Sequence, residues 1–211
     1  MIALVPVKGY FEENCYFCID DATGHGFVID PGAQADALLR LISQNGWTIE
    51  KILLTHGHFD HMGAADELRQ SLGIPVCAHE NADTYLLDAG MNLSLHCGPA
   101  ITVHNAQKLK DGDQVRLDKN PGFMLQVMHT PGHTTDSISL YCEKENVVFA
   151  GDTIFKGSMG SSGYPGGNPV ELKNSIANRL FRLPEKTVLL SGHSMQTTVG
   201  DEKRRYPFLP S

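Results

Sequence analysis

Apolar residues fall along this chain in two kinds of run. Short, dense runs at residues 2–7, 15–19 and 27–29 read as strands, with Asp21-Ala22-Thr23-Gly24 as a turn between the last two. Asp30-Pro31-Gly32 stops the third run. Over residues 33–44 the spacing becomes helical, with Ala37, Leu38, Leu41 and Ile42 on one face and Asn45-Gly46 as the stop. Residues 51–54 form a short apolar strand that runs straight into His56-Gly57-His58-Phe59-Asp60-His61. Residues 63–72 read as the next helix, ended by Gly73 with Pro75 close behind.

The second half repeats the scheme. Residues 81–110 read as a helix followed by loop, and strands return at 114–117, 123–128, 137–141 and 147–149. A loop rich in Gly and Ser, residues 157–167, leads into a well-signalled helix. Asn168 is its N-cap, Pro169 its first residue and Glu171 the acid of a capping box. Residues 188–190 are the last clear strand. No repeat, low-complexity segment or linker divides the chain, so a single domain over 1–211 is expected. The element order predicts two sheets packed together, each with helices on one face.

Composition narrows the function classes. Hydrophobic residues at 41% and charged residues at 19% describe an ordinary folded chain rather than a disordered one. A net charge of −7 argues against nucleic acid or an anionic membrane as partner, since both reward clustered basic residues. The apolar N-terminal residues 1–7 are too short for a secretory leader, and no run is long enough to span a bilayer. Five scattered cysteines suit a reducing compartment, so a cytoplasmic location is expected.

The chemistry concentrates at strand ends. His56 and His58 are two apart where a strand gives way to a turn, so both rings can converge on one ion, while Asp60 and His61 can point at a second. Three more ligand-type loops follow strand-like runs: Thr130-Pro131-Gly132-His133-Thr134, Gly151-Asp152-Thr153 and Gly192-His193. Ligands at strand ends along one rim are what a shared site requires.

With Asn14-Cys15-Tyr16, Asp30-Pro31-Gly32, Ile154-Phe155 and the tail Thr198-Val199-Gly200-Asp201-Glu202-Lys203 with Pro207-Phe208, these motifs give the chain its resemblance. It resembles the metallo-β-lactamase superfamily, and within it the short, single-domain glyoxalase-II-like hydrolases of bacteria. The resemblance implies the four-layer αβ/βα sandwich. It implies one metal site of His56, His58 and His133, a second of Asp60, His61 and His193, and Asp152 bridging them, with Asp60 and Asp152 counted among the catalytic groups. It also implies two divalent ions, zinc first with iron or manganese as alternatives, and a metal-bridging hydroxide that attacks a thioester such as S-2-hydroxyacylglutathione. A site so loaded carries about one positive charge within a negative protein, which suits a small anionic thioester. A thiolate leaves without a dedicated general acid.

The chain departs from the family pattern in places. Gly160-Ser161-Ser162-Gly163-Tyr164-Pro165 stands where the family often has Gly-Arg-x-Asp-(Phe/Tyr)-Pro, which removes a charged pair near the site. Asp136 and Ser194 each stand where the family usually has Gly. Only a short tail follows His193, where two-domain glyoxalase II enzymes carry a helical domain that helps hold glutathione. Lys156 and Tyr164 are candidate substrate contacts. Cys15 and Cys18 have a redox spacing, but on a strand they face opposite sides and read as buried. His25, His79, His96, His104 and His129 lie outside the motifs, with His129 close enough to His133 to support it. Two other readings remain: an iron-dependent persulfide dioxygenase using His56, His133 and Asp152 alone, and a metal-binding module without turnover.

Overall fold

In the computed structural model, which describes residues 1–206, successive residues of the central strands look into different layers. Tyr16 and Cys18 face the opposite sheet while Phe17 and Ile19 face helices, and Phe27, Val28 and Ile29 alternate in the same way. A strand buried on both faces must be apolar at every position, which is why these segments read as continuous runs rather than as alternation.

The first sheet contains β1 (Ile2–Lys8), β2 (Glu12–Ile19), β3 (His25–Ile29), β4 (Thr48–Leu53), β5 (Val76–His79) and β6 (Gln107–Leu109), in that order across the sheet. β1 to β3 are antiparallel, and β3 to β6 are parallel. The second sheet is built from β7 (Gln114–Arg116), β8 (Met124–His129), β9 (Ile138–Cys142), β10 (Val147–Gly151), β13 (Val188–Ser191) and β14 (Thr197–Thr198), ordered β14-β13-β10-β9-β8-β7. Between β10 and β13, a two-stranded hairpin forms from β11 (Ile154–Phe155) and β12 (Ser158–Met159).

The sheets pack through Phe27, Leu53, Phe123, Leu125, Leu140 and Phe149. The outer face of the first is covered by α1 (Ala35–Asn45) through Leu38 and Ile42, and by α3 (Ala65–Leu72) through Leu68. A single turn, α2 (Phe59–Met62), precedes α3. Two further turns, α4 (Asp83–Leu86) and α5 (Ser94–Cys97), lie in the long connection before β6. The second sheet is covered by α6 (Pro169–Asn178) through Leu172 and Ile176, and by α7 (Val199–Arg205) through Val199. This is the expected four-layer sandwich.

Several expectations are corrected. The hydrophobic pattern predicts no strand at β5 or β6. They are only four and three residues long, and β6 shows polar Gln107 and Lys108 to solvent, so neither carries a period. The helix expected within 81–110 is instead the two turns α4 and α5. The expected capping box is half formed: Asn168 Oδ1 accepts from the Val170 and Glu171 amides at 3.0 and 3.2 Å. The Asn168 amide itself donates to the Gly132 carbonyl at 2.8 Å, so the cap is tied to the His133 turn and not to Glu171. Cys15 and Cys18 do lie on opposite faces, both buried. No helix of the described residues is long and apolar enough to cross a membrane. Pro207 and Phe208 lie outside the described residues.

At the end of the sandwich away from the histidines, Asp20 is buried where the sheets meet. Its carboxylate accepts from Asn120 Nδ2 at 3.0 Å, Lys144 Nζ at 3.0 Å and Thr23 Oγ1 at 2.9 Å. The Asn120 amide, helped by Lys144 and Thr23 and opposed by burial, pulls its pKa down to about 2. The stabilisation is therefore present above the unfolded pKa of about 3.9 and is lost as pH falls through about 2. Asp20→Ala is expected to lower unfolding free energy by about 2 kcal/mol in urea at pH 7. The gap to the native chain should close progressively between pH 4 and pH 2.

Candidate metal centre

Every ligand-type motif sits where a strand ends on one rim. His56 and His58 follow β4, Asp60 and His61 ride on α2, His133 follows β8, Asp152 follows β10, and His193 follows β13. Local chemistry aims each of them. Gly151 has φ +49° at a register shift between β10 and β13, and a Cβ there would lie 2.4 Å from Thr55 Oγ1. Only glycine allows this turn, which swings Asp152 into the rim. At Gly192 a Cβ would lie 2.4 Å from His61 Cε1 and 2.5 Å from Asp152 Oδ1, so glycine lets the last loop close on the others.

The loops are tied from behind. Ser175 Oγ of α6 donates to the Pro131 carbonyl at 2.7 Å, and with the Asn168 amide on Gly132 it clamps the turn bearing His133. Asn14 Nδ2 donates to the carbonyls of Ser191 and Ser194, both at 2.9 Å, pinning the loop bearing His193 to β2.

The histidine hydrogen bonds decide what the rings present to one another. His133 Nδ1 lies 2.6 Å from the Ser161 carbonyl and His193 Nδ1 lies 2.8 Å from the Glu12 carbonyl. A carbonyl only accepts, so each Nδ1 carries the proton, and in the neutral ring each Nε2 presents a lone pair. His61 Nδ1 donates to Asp30 Oδ2 at 3.0 Å. Thr55 Oγ1 donates to Asp30 Oδ2 at 2.6 Å, which leaves it to accept from His56 Nδ1 at 3.2 Å.

The inward ring nitrogens converge. His58 Nδ1 is 3.0 Å from both His56 Nε2 and His133 Nε2. His61 Nε2 is 3.3 Å from His193 Nε2, which is 3.2 Å from Asp60 Oδ2. Asp152 stands between the two groups, with Oδ1 3.5 Å from His61 Nε2 and Oδ2 3.7 and 3.6 Å from His133 and His193 Nε2. Tetrahedral coordination at metal–nitrogen distances of about 2.1 Å puts ligand atoms about 3.4 Å apart. Acceptors at such spacing, with Asp152 Oδ1 buried and without a hydrogen-bond partner, fit two divalent cations.

Charge distribution agrees. Burial, with the neighbouring rings, holds His56 well below the ordinary imidazole range and His58 at about 3, so both rings are uncharged near neutral pH. Burial also leads the lowering of His133. Burial opposes charge on His61 and His193, yet Asp152 around the first and Asp60 around the second raise both. Burial likewise opposes charge on Asp152, but the rings of His61, His133 and His193 keep it ionised, and His193 and His61 do the same for Asp60. The second group attracts positive charge wherever it can find it.

The substrate candidates separate. Tyr164 lines the cleft over the histidines, with its ring 5.6 Å from that of His58. Lys156 is exposed, is not among the cleft-lining residues, and touches the site only through its amide, which donates to Ser194 Oγ. His129 stacks on His79 at 4.1 Å and bonds the Thr135 carbonyl, so it does not support His133. The Ser161 departure leaves the site's support whole, because His133 uses the backbone carbonyl there and not the side chain.

Three residues gain a role that sequence reading did not give them. Asp30, read as a strand stop, orients His61 and receives the Thr55 amide and hydroxyl at 2.7 and 2.6 Å. Glu13 is buried 3.8 Å from His61 Nδ1 with neither carboxyl oxygen hydrogen-bonded, and burial pushes its pKa well up against the pull of His61. Asp136 is buried beneath the 56–58 loop, where a Cβ on Gly57 would lie 3.3 Å from its Oδ2. No partner closes a hydrogen bond on it, although the Thr134 hydroxyl and the Gly57 amide lie close enough to temper the effect of burial, which pushes its pKa up to about 7. A polar motif such as Asp-Pro-Gly flags Asp30. Nothing local flags Glu13, and Asp136 shows in the sequence only as a departure from the family's usual Gly; the burial of both comes from other segments.

Sandwich and rim together define a protein of the metallo-β-lactamase class. The family model for the metallo-β-lactamase superfamily matches residues 9–193, and the chain belongs to that superfamily, most of whose members are metal-dependent hydrolases. The chain is 40% identical over 206 residues to the probable metallo-hydrolase YqgX of Bacillus subtilis, covering 97% of this chain and 95% of that one. It is 33% identical to the hydroxyacylglutathione hydrolase GloC of Haemophilus influenzae, covering 100% and 98%. Among solved structures, the BLEG-1 B3 metallo-β-lactamase superposes with a TM-score of 0.92 at 36% identity, and each chain is covered completely.

Asp30→Asn is expected to weaken metal binding by about 10–100-fold in chelator competition, because His61 loses its carboxylate partner. For Asp136 the folded pKa of about 7 lies above the unfolded one, so its burial costs stability increasingly as pH rises from about 4 to 7. In the metal-free protein, Asp136→Asn should gain stability over the native chain across that window and hold the gain above it. Parallel urea-denaturation profiles from pH 4 to 8 would show the carboxyl to be ionised without penalty.

Proposed function

We propose that the chain is a two-metal thioester hydrolase of the glyoxalase II type, cleaving 2-hydroxyacyl thioesters to acid and thiol. The observation that carries this reading is the pair of complete three-ligand clusters with Asp152 between them. His56, His58 and His133 would hold one ion, and Asp60, His61 and His193 the other. The GloC relative lends the substrate class. Two divalent ions bound there supply water of lowered pKa and positive charge opposite a developing oxyanion.

The chain's own residues select the leaving group. Asp60 and Asp152 are both held ionised and cannot give up a proton near neutral pH. Neither Lys nor Arg lines the cleft. A leaving group that departs as an anion suits such a site, and a thiol with a pKa of about 8.5 does so far more readily than an amine or an alkoxide. In the overall reaction the carbon–sulfur bond breaks, the oxygen of water goes to the acid, and its proton goes to solvent or the thiolate. Phe11, Phe155 and Tyr164 wall the cleft of about 240 Å³ and shield the reacting carbonyl from bulk water.

A mononuclear iron oxidoreductase would need only His56, His133 and Asp152. The second cluster of Asp60, His61 and His193 then has no use, which favours the two-metal reading. Metal analysis of the purified protein should find two ions per chain, zinc foremost, together with thioester cleavage measured on S-lactoylglutathione and on lactoyl thioesters of simple thiols. Asp152→Ala is expected to abolish cleavage and release most of the metal. One iron per chain, oxygen uptake and no thioester cleaved would overturn the proposal.

A further inference from the structure

Beside the catalytic cleft lies a larger cavity of about 420 Å³. The two share Phe11, Phe59 and Asp60, so a molecule whose carbonyl sits at the rim can pass an arm over Phe59 into the second space. Its walls include Val7, Ala33, Pro99 and Ile101, with Cys97 and Ser94 of α5. Its entrance is the β1–β2 hairpin, where Tyr10 and Phe11 are 64% and 47% exposed. Their rings pack edge-on at 5.0 Å and lie 6.3 and 6.1 Å from the Phe59 ring. Exposed aromatics gathered at a cavity mouth leave apolar area for a ligand to cover.

The lining has one ionised group, Asp60, and no Lys or Arg. The two cations nearest in sequence lie outside the lining of both cavities. Lys8 is 73% exposed and paired with Glu12 at 3.4 Å, and Lys156 is exposed. A peptide arm bearing carboxylates would lose water in this space and find no Lys or Arg in the wall as countercharge. An apolar arm loses nothing polar and covers the aromatics. Resting on the thioester hydrolase reading, we infer that this side cavity receives an uncharged, apolar arm of the thioester, on its thiol or its acyl side, in preference to the peptide arm of glutathione. The small anionic thioester expected from the charge of the loaded site is thereby narrowed to one whose long arm is neutral.

Two series separate the sources. Lactoyl thioesters of methanethiol, butanethiol and hexanethiol lengthen the thiol side, and methyl thioesters of lengthening 2-hydroxy acids lengthen the acyl side. On the metal-loaded protein, kcat/KM should rise about threefold to fourfold per methylene along one series. The hexyl member of that series should exceed S-lactoylglutathione. Cys97→Trp, which fills the cavity, should flatten the series while sparing the methyl thioester. Ala33→Leu serves if that variant fails to fold. Flat rates along both series, or S-lactoylglutathione tenfold ahead of every neutral substrate, would overturn the inference.

A second readout needs neither metal nor turnover. Cys97 is half-buried in the cavity wall and the other four cysteines are buried. Hexan-1-ol should slow its alkylation by N-ethylmaleimide severalfold in the metal-free protein, and S-methylglutathione at equal concentration should not. Protection by hexan-1-ol without any thioester turnover would count against the hydrolase reading alone, leaving the cavity's preference in place. No protection, or protection by S-methylglutathione only, would overturn the cavity's preference itself.

Discussion

The outward nitrogens of His56, His61, His133 and His193 each face an oxygen acceptor, and the form of the site follows from that. His133 donates its Nδ1 proton in a hydrogen bond to the Ser161 carbonyl, His193 to Glu12 and His61 to Asp30, so Nε2 of each ring, when neutral, turns a lone pair inward. Lone pairs held 3.0 to 3.3 Å apart repel unless a cation stands among them. The surrounding sandwich must hold this arrangement against its own electrostatics. It does so with ties from other segments, namely α6 on the His133 turn, Asn14 on the His193 loop, and Asp30 with Thr55 behind His61 and His56.

This arrangement also explains the uncommon buried carboxyls. Glu13 and Asp136 flank the site without hydrogen-bond partners, and burial favours their protonated forms. They contrast with Asp60 and Asp152, which neighbouring imidazoles keep ionised at the rim. The same residue types thus play opposite electrostatic parts within one cluster, and neighbours rather than chemistry decide which.

The ligand rim and the side cavity answer different questions. The rim gathers side chains that could hold two metal ions. The cavity under the Tyr10–Phe11 hairpin is a matter of which loops meet beside Asp60, and its aromatic lining, without Lys or Arg, bears on what a ligand at the rim could carry.

Much of this was legible along the chain. Dense apolar runs located the central strands β2, β3 and β10, because a strand covered on both faces can hold little else, and the ligand-type motifs announced themselves through residue types that seldom cluster by chance. β5 and β6 were not legible, being too short and, for β6, too polar to show a period. Nor were Glu13 and Asp136, Lys156 standing aside while Tyr164 lined the cleft, or the cap of Asn168 turning to Gly132 instead of Glu171. The sequence by itself determined the ligand-type side chains and their places at strand ends, since both are properties of residues and their near neighbours. Tertiary structure alone decided the protonation of each ring, the ionisation of each carboxyl and the shape of the side cavity. These depend on partners as much as 28 and 181 positions apart, which no local spacing encodes.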